Sequence, residues 1–286
     1  MLDVGSHKIP GHRLTRRLGT GAFAEVWEAR TTEGRFVALK FLDTRSRYGA
    51  LVRSEARVWL GLTELQHPGI IPLHGTLAVS HYLILSMERA DGSLAQLHRT
   101  YQEDFGTHIP REDALELLAP VAETLDFLSG VGLPNVNASS PGLQHCDVKP
   151  ANLLVVGDRI KVGDFGLCTA TTGRTHRGGG WRGTPPYAAP ELFNGQVSNR
   201  TDQYALAVTW CELCEGEAVF NPSLTTDSGS PTLPIELMRL PAGEARVIAR
   251  ALHPQPALRY PSCQALMLEL QQAYRGSRVV RRIVRA

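Results

Sequence analysis

Between positions 145 and 166 the chain reads His145-Cys146-Asp147-Val148-Lys149-Pro150-Ala151-Asn152, then an apolar run, then Asp164-Phe165-Gly166. No other stretch of the sequence restricts the fold as tightly. Two carboxylates, an amide and an ammonium group must converge from the two ends of one short apolar segment. Asp147 offers a carboxylate that can receive a proton. Asn152 and Asp164, twelve residues apart, offer hard oxygen ligands of the kind that hold Mg²⁺. Transfer of a phosphoryl group to a hydroxyl asks for both.

A chain of 286 residues suffices for one large domain or for two lobes around a shared cleft. Short strand patterns fill the first ninety residues: Arg13 to Leu18, Glu25 to Ala29, Phe36 to Phe41, Ile70 to Leu77 and Tyr82 to Met87. Ser46 to Leu62 interrupts them with apolar residues at helical spacing. After Asp91-Gly92 the periodicity turns helical, over Arg111 to Leu128 (with Pro120 as a kink point), Thr201 to Glu215, Ala242 to Leu252 and Pro261 to Tyr274. Ser129 to Gln144, rich in Gly, Pro, Ser and Asn, reads as a surface loop, idle or used for docking. The expectation is an α+β, bilobal chain: a β-rich lobe with one helix over 1–88, a helical lobe over 89–274, and a basic tail or linker over 275–286.

Hydrophobic content of 43% and charged content of 20% fit a soluble globular protein. A formal net charge of +2 gives no sign of a nucleic-acid partner. The amino terminus lacks the apolar run of a secretory signal, and no stretch is apolar enough to span a bilayer. Five cysteines without repeating spacing suggest a reduced, cytoplasmic compartment. Cys211-x-x-Cys214 lies in an apolar run and reads as two buried helix thiols.

The motifs together resemble the protein kinase family. HCDVKPAN and DFG stand for its catalytic loop, H-R-D-L-x-x-x-N, and its metal-binding triplet. Leu18-Gly19-Thr20-Gly21-Ala22-Phe23-Ala24-Glu25-Val26 resembles its glycine-rich loop over the ATP phosphates, with Ala24 at the third glycine position. A strand rather than a helix follows, so this is no Rossmann fingerprint. Val37-Ala38-Leu39-Lys40 matches the strand whose lysine meets the α- and β-phosphates. Glu55, fifteen residues on, is the natural partner of Lys40; Glu33 and Asp43 lie in or beside turns. Ala189-Pro190-Glu191 resembles the end of the activation segment, and by resemblance Arg259 is the buried cation for Glu191.

The resemblance covers roughly Arg13 to Ala273 and implies a bilobal protein kinase fold and an ATP-dependent protein kinase. The implied catalytic residues are Asp147 as base, Lys149 on the transferring phosphate, and Lys40. The implied nucleotide site adds Leu18, Gly19, Thr20, Gly21, Ala22, Phe23, Ala24, Val26, Ala38, Glu55, Met87, Glu88, Ala90 and Leu154. Asn152 and Asp164 would bind Mg²⁺, with Mn²⁺ as the alternative. By resemblance His145, Phe165, Trp59 and Leu73 form a stacked hydrophobic column. Asp202 anchors the catalytic loop backbone or is an ordinary first-turn carboxylate. Lys149 and Gly183-Thr184-Pro185-Pro186-Tyr187 resemble the Ser/Thr-directed members, with bacterial wording around HCDVKP.

Cys146 departs from the family, whose arginine there reads an activation-loop phosphate; the chain is of the non-RD type. Thr169, Thr171, Thr172 and Thr175 are candidate modification sites, and Arg174, Arg177 and Arg182 are reading groups or solvated charges. A thiol switch between Cys146 and Cys168 is a further alternative. The leading expectation is a protein Ser/Thr kinase acting on protein substrates. A pseudokinase scaffold and a small-molecule phosphotransferase are the rivals. The basic end, Arg275 to Ala286, is read as a linker or a membrane-surface contact.

Overall fold

The computed structural model describes residues 9–21, 24–45, 49–63, 67–131, 142–170, 183–216 and 239–284. A five-stranded antiparallel sheet, ordered β1-β2-β3-β5-β4, forms the first lobe: β1 His12–Thr20, β2 Ala24–Thr31, β3 Phe36–Asp43, β4 Leu73–Val79 and β5 Tyr82–Glu88. Helix α1, Gly49–Thr63, crosses it between β3 and β4.

Alternation along β3 sets the geometry of the cleft. Val37, Leu39 and Phe41 join a small core with Leu14, Trp27 and Ile84 on one face. The residues between them therefore face the other way. Leu42 joins the main core with Val52, Trp59 and Leu85. Lys40, on that same face, is buried opposite Val26 and Leu85. Helix α1 buries Val52, Glu55, Trp59 and Leu62, positions on one helical stripe, so Glu55 is carried inward with the apolar residues.

The second lobe holds α2 Leu94–Phe105, α3 Arg111–Gly130, the short α4 Pro190–Phe193, α5 Thr201–Glu215, α6 Ala242–Ala251 and α7 Cys263–Val284. Helix α5 is buried along nearly its whole length and round its circumference, with the apolar run Tyr204 to Val208 at its centre and Asp202, Gln203 and Thr209 buried beside it. A small sheet, β6 Gly92–Ser93, β8 Leu153–Val156 and β9 Arg159–Val162, floors the cleft, and β7 Leu143–Gln144 pairs with β10 Thr169–Ala170.

Three sequence expectations are corrected. Helix α2 was not foreseen, although Leu94, Leu97 and Tyr101 pack on the core at helical spacing. Its signature was nonetheless present: Ser93 and Gln96 form a reciprocal capping box. The loop expected over Ser129 to Gln144 is shorter at both ends, since Ser129 and Gly130 end α3 and Leu143 and Gln144 are buried strand; residues 132–141 lie outside the described residues. Helix α3 runs as one element with Pro120 inside it, in line with the sequence pattern. Helix α7 runs on through the basic residues to Val284 instead of stopping at Tyr274, because only Gly276 opposes it and one glycine costs a helix about 1 kcal/mol. Among the described residues, no helix is long and apolar enough to cross a membrane.

Candidate active site

The first cluster joins the two lobes. Lys40 Nζ donates to Glu55 Oε1 at 2.5 Å and to Asp164 Oδ1 at 2.6 Å. Glu33 pairs with Arg35, and Asp43 accepts from the Arg45 backbone, so neither competes for Lys40. The Lys40 and Glu55 side chains are 7% and 0% exposed, whereas Asp164 is 46% exposed. Burial alone would lower the Lys40 pKa, but the carboxylates of Asp164 and Glu55 more than reverse that and raise it. Burial raises Glu55 against the pull of Lys40. For Asp164 the desolvation penalty is outweighed by Lys40, and its pKa falls to about 2. A buried lysine, held charged, thus presents an ionised and partly open carboxylate to the cleft.

Among the described residues none makes a hydrogen bond to the buried Glu55 Oε2. A Cβ on Gly166 would stand 3.1 Å from it, so the glycine of DFG is what lets that segment pass against α1. Phe165 packs edge-on against Trp59 (centroids 5.0 Å apart) and against His145 (5.1 Å). Leu73 packs against the same core, partly buried. Phe165, His145 and Trp59 together fix where Asp164 stands.

The second cluster is built on the catalytic loop. Asp202, at the start of α5, accepts from the backbone N–H of His145 at 2.6 Å and of Cys146 at 2.8 Å. That double bond holds Cys146 in the left-handed region (φ 63°), which a non-glycine residue rarely adopts. The Cys146 thiol is buried, lies 3.6 Å from the Gln144 carbonyl, and is pushed well up in pKa by burial. Cys168 is likewise buried and raised, and both are free thiols.

Asp147 then receives four hydrogen bonds. Oδ2 accepts from Lys149 Nζ (2.7 Å) and Asn152 Nδ2 (2.9 Å); Oδ1 accepts from Thr184 Oγ1 (2.9 Å) and Thr184 N (3.1 Å). Lys149 also donates to Thr184 Oγ1 at 2.6 Å. Asn152 gives its second N–H to the Asp147 carbonyl, which leaves its amide oxygen for a cation. Among the described residues no group of three or more His, Cys, Asp or Glu is placed to hold a metal. One carboxylate and one amide oxygen instead suit Mg²⁺, which keeps waters and takes phosphate oxygens.

The remaining expected nucleotide residues surround the first cluster. Leu18 is half-buried, and Gly19, Thr20 and Gly21 are exposed at the tip of the β1–β2 hairpin; Ala22 and Phe23 lie outside the described residues. Ala24 and Val26 are half-buried on β2, Ala38 is buried opposite Met87, and Leu154 lies on β8. Glu88 and Ala90 follow at the crossing between lobes, where Glu88 pairs with Lys161 at 2.5 Å. Arg174, Arg177, Arg182, Thr171, Thr172 and Thr175 fall outside the described residues. Sequence reasoning missed Lys161 and also Glu212, which accepts from the Tyr187 hydroxyl. Glu212 sits in the apolar α5 pattern with no local signal.

A sheet lobe, a helical lobe and these two facing clusters are the bilobal protein kinase fold. The model of the protein kinase domain matches residues 12–270. The chain belongs to the protein kinase domain family. It is 30% identical over 289 residues to the serine/threonine-protein kinase PknH of Mycobacterium tuberculosis, covering 94% of this chain and 43% of the relative. Against PknD of the same organism it is 31% identical over 292 residues, covering 95% and 40%. It therefore spans less than half the length of these two relatives. The PknI kinase domain of M. tuberculosis superposes with a TM-score of 0.70 at 27% identity, covering 96% of this chain and 100% of that one.

Proposed function

We propose that the chain transfers the γ-phosphoryl group of ATP to serine and threonine hydroxyls of protein substrates. The observation that carries this reading is the joining of Asp147, Lys149 and Thr184 in one hydrogen-bonded cluster, across the cleft from the Lys40–Glu55–Asp164 triad. Lys40, fixed by Glu55, holds the α- and β-phosphates. Asn152 and Asp164 hold Mg²⁺, with Mn²⁺ as the alternative; when bound, the ion neutralises charge on the phosphates. Leu18 to Gly21 and Ala24 roof the nucleotide, and Val26, Ala38, Met87, Glu88, Ala90 and Leu154 enclose its base.

Asp147 accepts the acceptor proton. All four acceptor positions of its carboxylate are taken by Thr184, Lys149 and Asn152, so an incoming hydroxyl displaces one donor. Thr184 already does what the acceptor must do: its hydroxyl meets Asp147 and is approached by Lys149. Lys149 stabilises charge on the transferring group. The Ser/Thr-kinase names of the relatives support the acceptor class. A cytoplasmic location and a membrane contact through the basic end of α7 belong to the same proposal.

Asp147→Asn should lower turnover on a Ser/Thr model peptide by about 10²–10⁴-fold, the span of general-base catalysis. ATP affinity, read by calorimetry, should stay within about twofold, below 0.5 kcal/mol. Near-normal turnover would remove Asp147 from its role. A wild-type chain that binds ATP without transferring phosphate would make the protein a scaffold.

A further inference from the structure

Two consecutive residues at the lobe crossing, Glu88 and Arg89, carry opposite charges and are tied in opposite directions. Glu88, the last residue of β5, binds Lys161 of β9 on the cleft floor. Arg89 Nε donates to Glu28 Oε2 on β2 at 2.7 Å. Glu28 is 8% exposed and also accepts from Thr15 Oγ1 (2.9 Å) and Arg16 (3.3 Å), both on β1. Arg89 Nη1 reaches Asp91 Oδ1 at 3.1 Å. Asp91 Oδ2 accepts from the backbone N–H of Gly157, in the β8–β9 turn, at 2.9 Å, and the Asp91 N–H binds the Val155 carbonyl. An unbroken polar chain thus runs from β1 through β2 and the crossing to the floor hairpin.

Strands β1 and β2 are the hairpin whose tip is the glycine-rich loop. Strand β2 is paired with β3 from Ala24 to Arg30, but β1 is an outer strand of the sheet, paired on one side only, and the sheet by itself does not set the distance of this hairpin from the cleft floor. Arg89 is suited to hold it because a planar fork can meet two carboxylates at once. Hydrogen bonding to Arg89, against the opposing cost of burial, holds the Glu28 carboxyl below its usual range, so the pair stays ionised near neutral pH. We propose that Arg89, through Glu28 and Asp91, is a positioning residue that fixes the β1–β2 roof at the distance from the β8–β9 floor that a nucleotide requires. It acts on nucleotide affinity and leaves the transfer step to Asp147 and Lys149. This rests on the nucleotide reading of the cleft.

The test uses Arg89→Met, Glu28→Gln, the double variant and Arg89→Lys. Steady-state kinetics would give KM for ATP and kcat on a Ser/Thr peptide, and amide hydrogen exchange without nucleotide would read residues 12–20. Each single variant should raise KM by about fivefold with kcat within about twofold, as loss of a partly buried charged hydrogen bond implies. Exchange along β1 should quicken. The double variant should match Arg89→Met, which already removes the contacts to both Glu28 and Asp91, and should not add the effect of Glu28→Gln to it. Arg89→Lys, unable to hold both carboxylates, should fall between. Unchanged KM and unchanged exchange would overturn the proposal, and so would equal losses in KM, kcat and melting temperature, which would mark Arg89 as merely structural. Failure of the wild type to bind ATP would sink the nucleotide reading, while the exchange data would still decide whether Arg89 fastens the roof.

Discussion

Among the described residues, two ion pairs have both side chains almost wholly buried, and they are finished to different degrees. Arg259 and Glu191 form a bidentate pair at 2.8 and 2.7 Å in the helical lobe. All five guanidinium N–H groups are used, the other three on the carbonyls of His253, Arg200 and Pro254. Glu191 also accepts from Ser198 and Thr201, and the guanidinium lies over the Tyr204 ring. The Lys40–Glu55 pair, by contrast, has an orphaned Glu55 Oε2, and its third member, Asp164, opens to the cleft. Of these two pairs, the saturated one has nothing left to offer a ligand, and the unsaturated one presents an open carboxylate to the cleft. Saturation alone does not mark a structural role, since the Asp147 carboxylate is fully hydrogen-bonded too and in the proposed reaction gives up a donor.

The strongest way to break that comparison is to remove each cation. Arg259→Leu strands Glu191 among satisfied partners and should cost about 3–5 kcal/mol of stability, read as a shifted urea midpoint. A loss below 1 kcal/mol would show that the saturated pair is not structural. Lys40→Met should behave the other way. Glu55, whose pKa burial already raises, can take up a proton and stay buried. Melting should then move by only a few degrees, while turnover falls by about 10²–10³-fold, as for removal of one charge-stabilising donor. A variant that unfolds would place Lys40 with Arg259.

A smaller test uses acid. The Asp164 pKa lies at about 2 in the fold against 3.8 normally. Its folded value is depressed, so its contribution is complete above about pH 4 and fades as pH falls toward 2. Because the side chain is half exposed, water screens it, and about 1 kcal/mol is the reasonable size. Wild type should therefore lose stability relative to Asp164→Asn between pH 4 and 3 in urea titrations. A constant difference would mean that Lys40 does not hold Asp164 down.

The same contrast explains what could be read in advance. Lys40, Glu55, Asp147, Asn152 and Asp164 were legible because chemistry demands particular side chains at particular spacings. Lys40 was placed by its match to the family's strand motif, and Glu55 by its position on the expected helix fifteen residues on. The Glu28–Arg89–Asp91 chain was not legible, since surface-type charges 61 residues apart in sequence, as Glu28 and Arg89 are, carry no local pattern. Glu212 was hidden because a carboxylate inside an apolar helix run looks like an exposed position. Helix α2 was visible in its Ser93-x-x-Gln96 capping box and in Leu94, Leu97 and Tyr101 at helical spacing, but polar residues dominate the rest of it. The end of α7 was misjudged because basic residues suggest a tail while remaining good helix formers.

The smallest expected effect concerns a pair that the catalytic loop does not make. Where most of the family has arginine beside the catalytic aspartate, Cys146 is buried, uncharged and turned to the Gln144 carbonyl. It cannot form a bidentate bond with a phosphate. Arg174, Arg177 and Arg182 share a Gly-rich stretch of the sequence with Thr171, Thr172 and Thr175. A solvent-exposed ion pair between two such neighbours would be worth about 0–1 kcal/mol. Replacing Thr169, Thr171, Thr172 and Thr175 together by Ala should keep peptide turnover within about threefold, a barrier change under about 0.7 kcal/mol. Thr184 is left intact because it binds Asp147 and Lys149. Both proteins start phosphatase-treated and are then preincubated with ATP. Tenfold activation of the wild type alone would show that some cation other than residue 146 reads a phosphate, and that an ion pair completed by modification belongs beside the two the fold already holds.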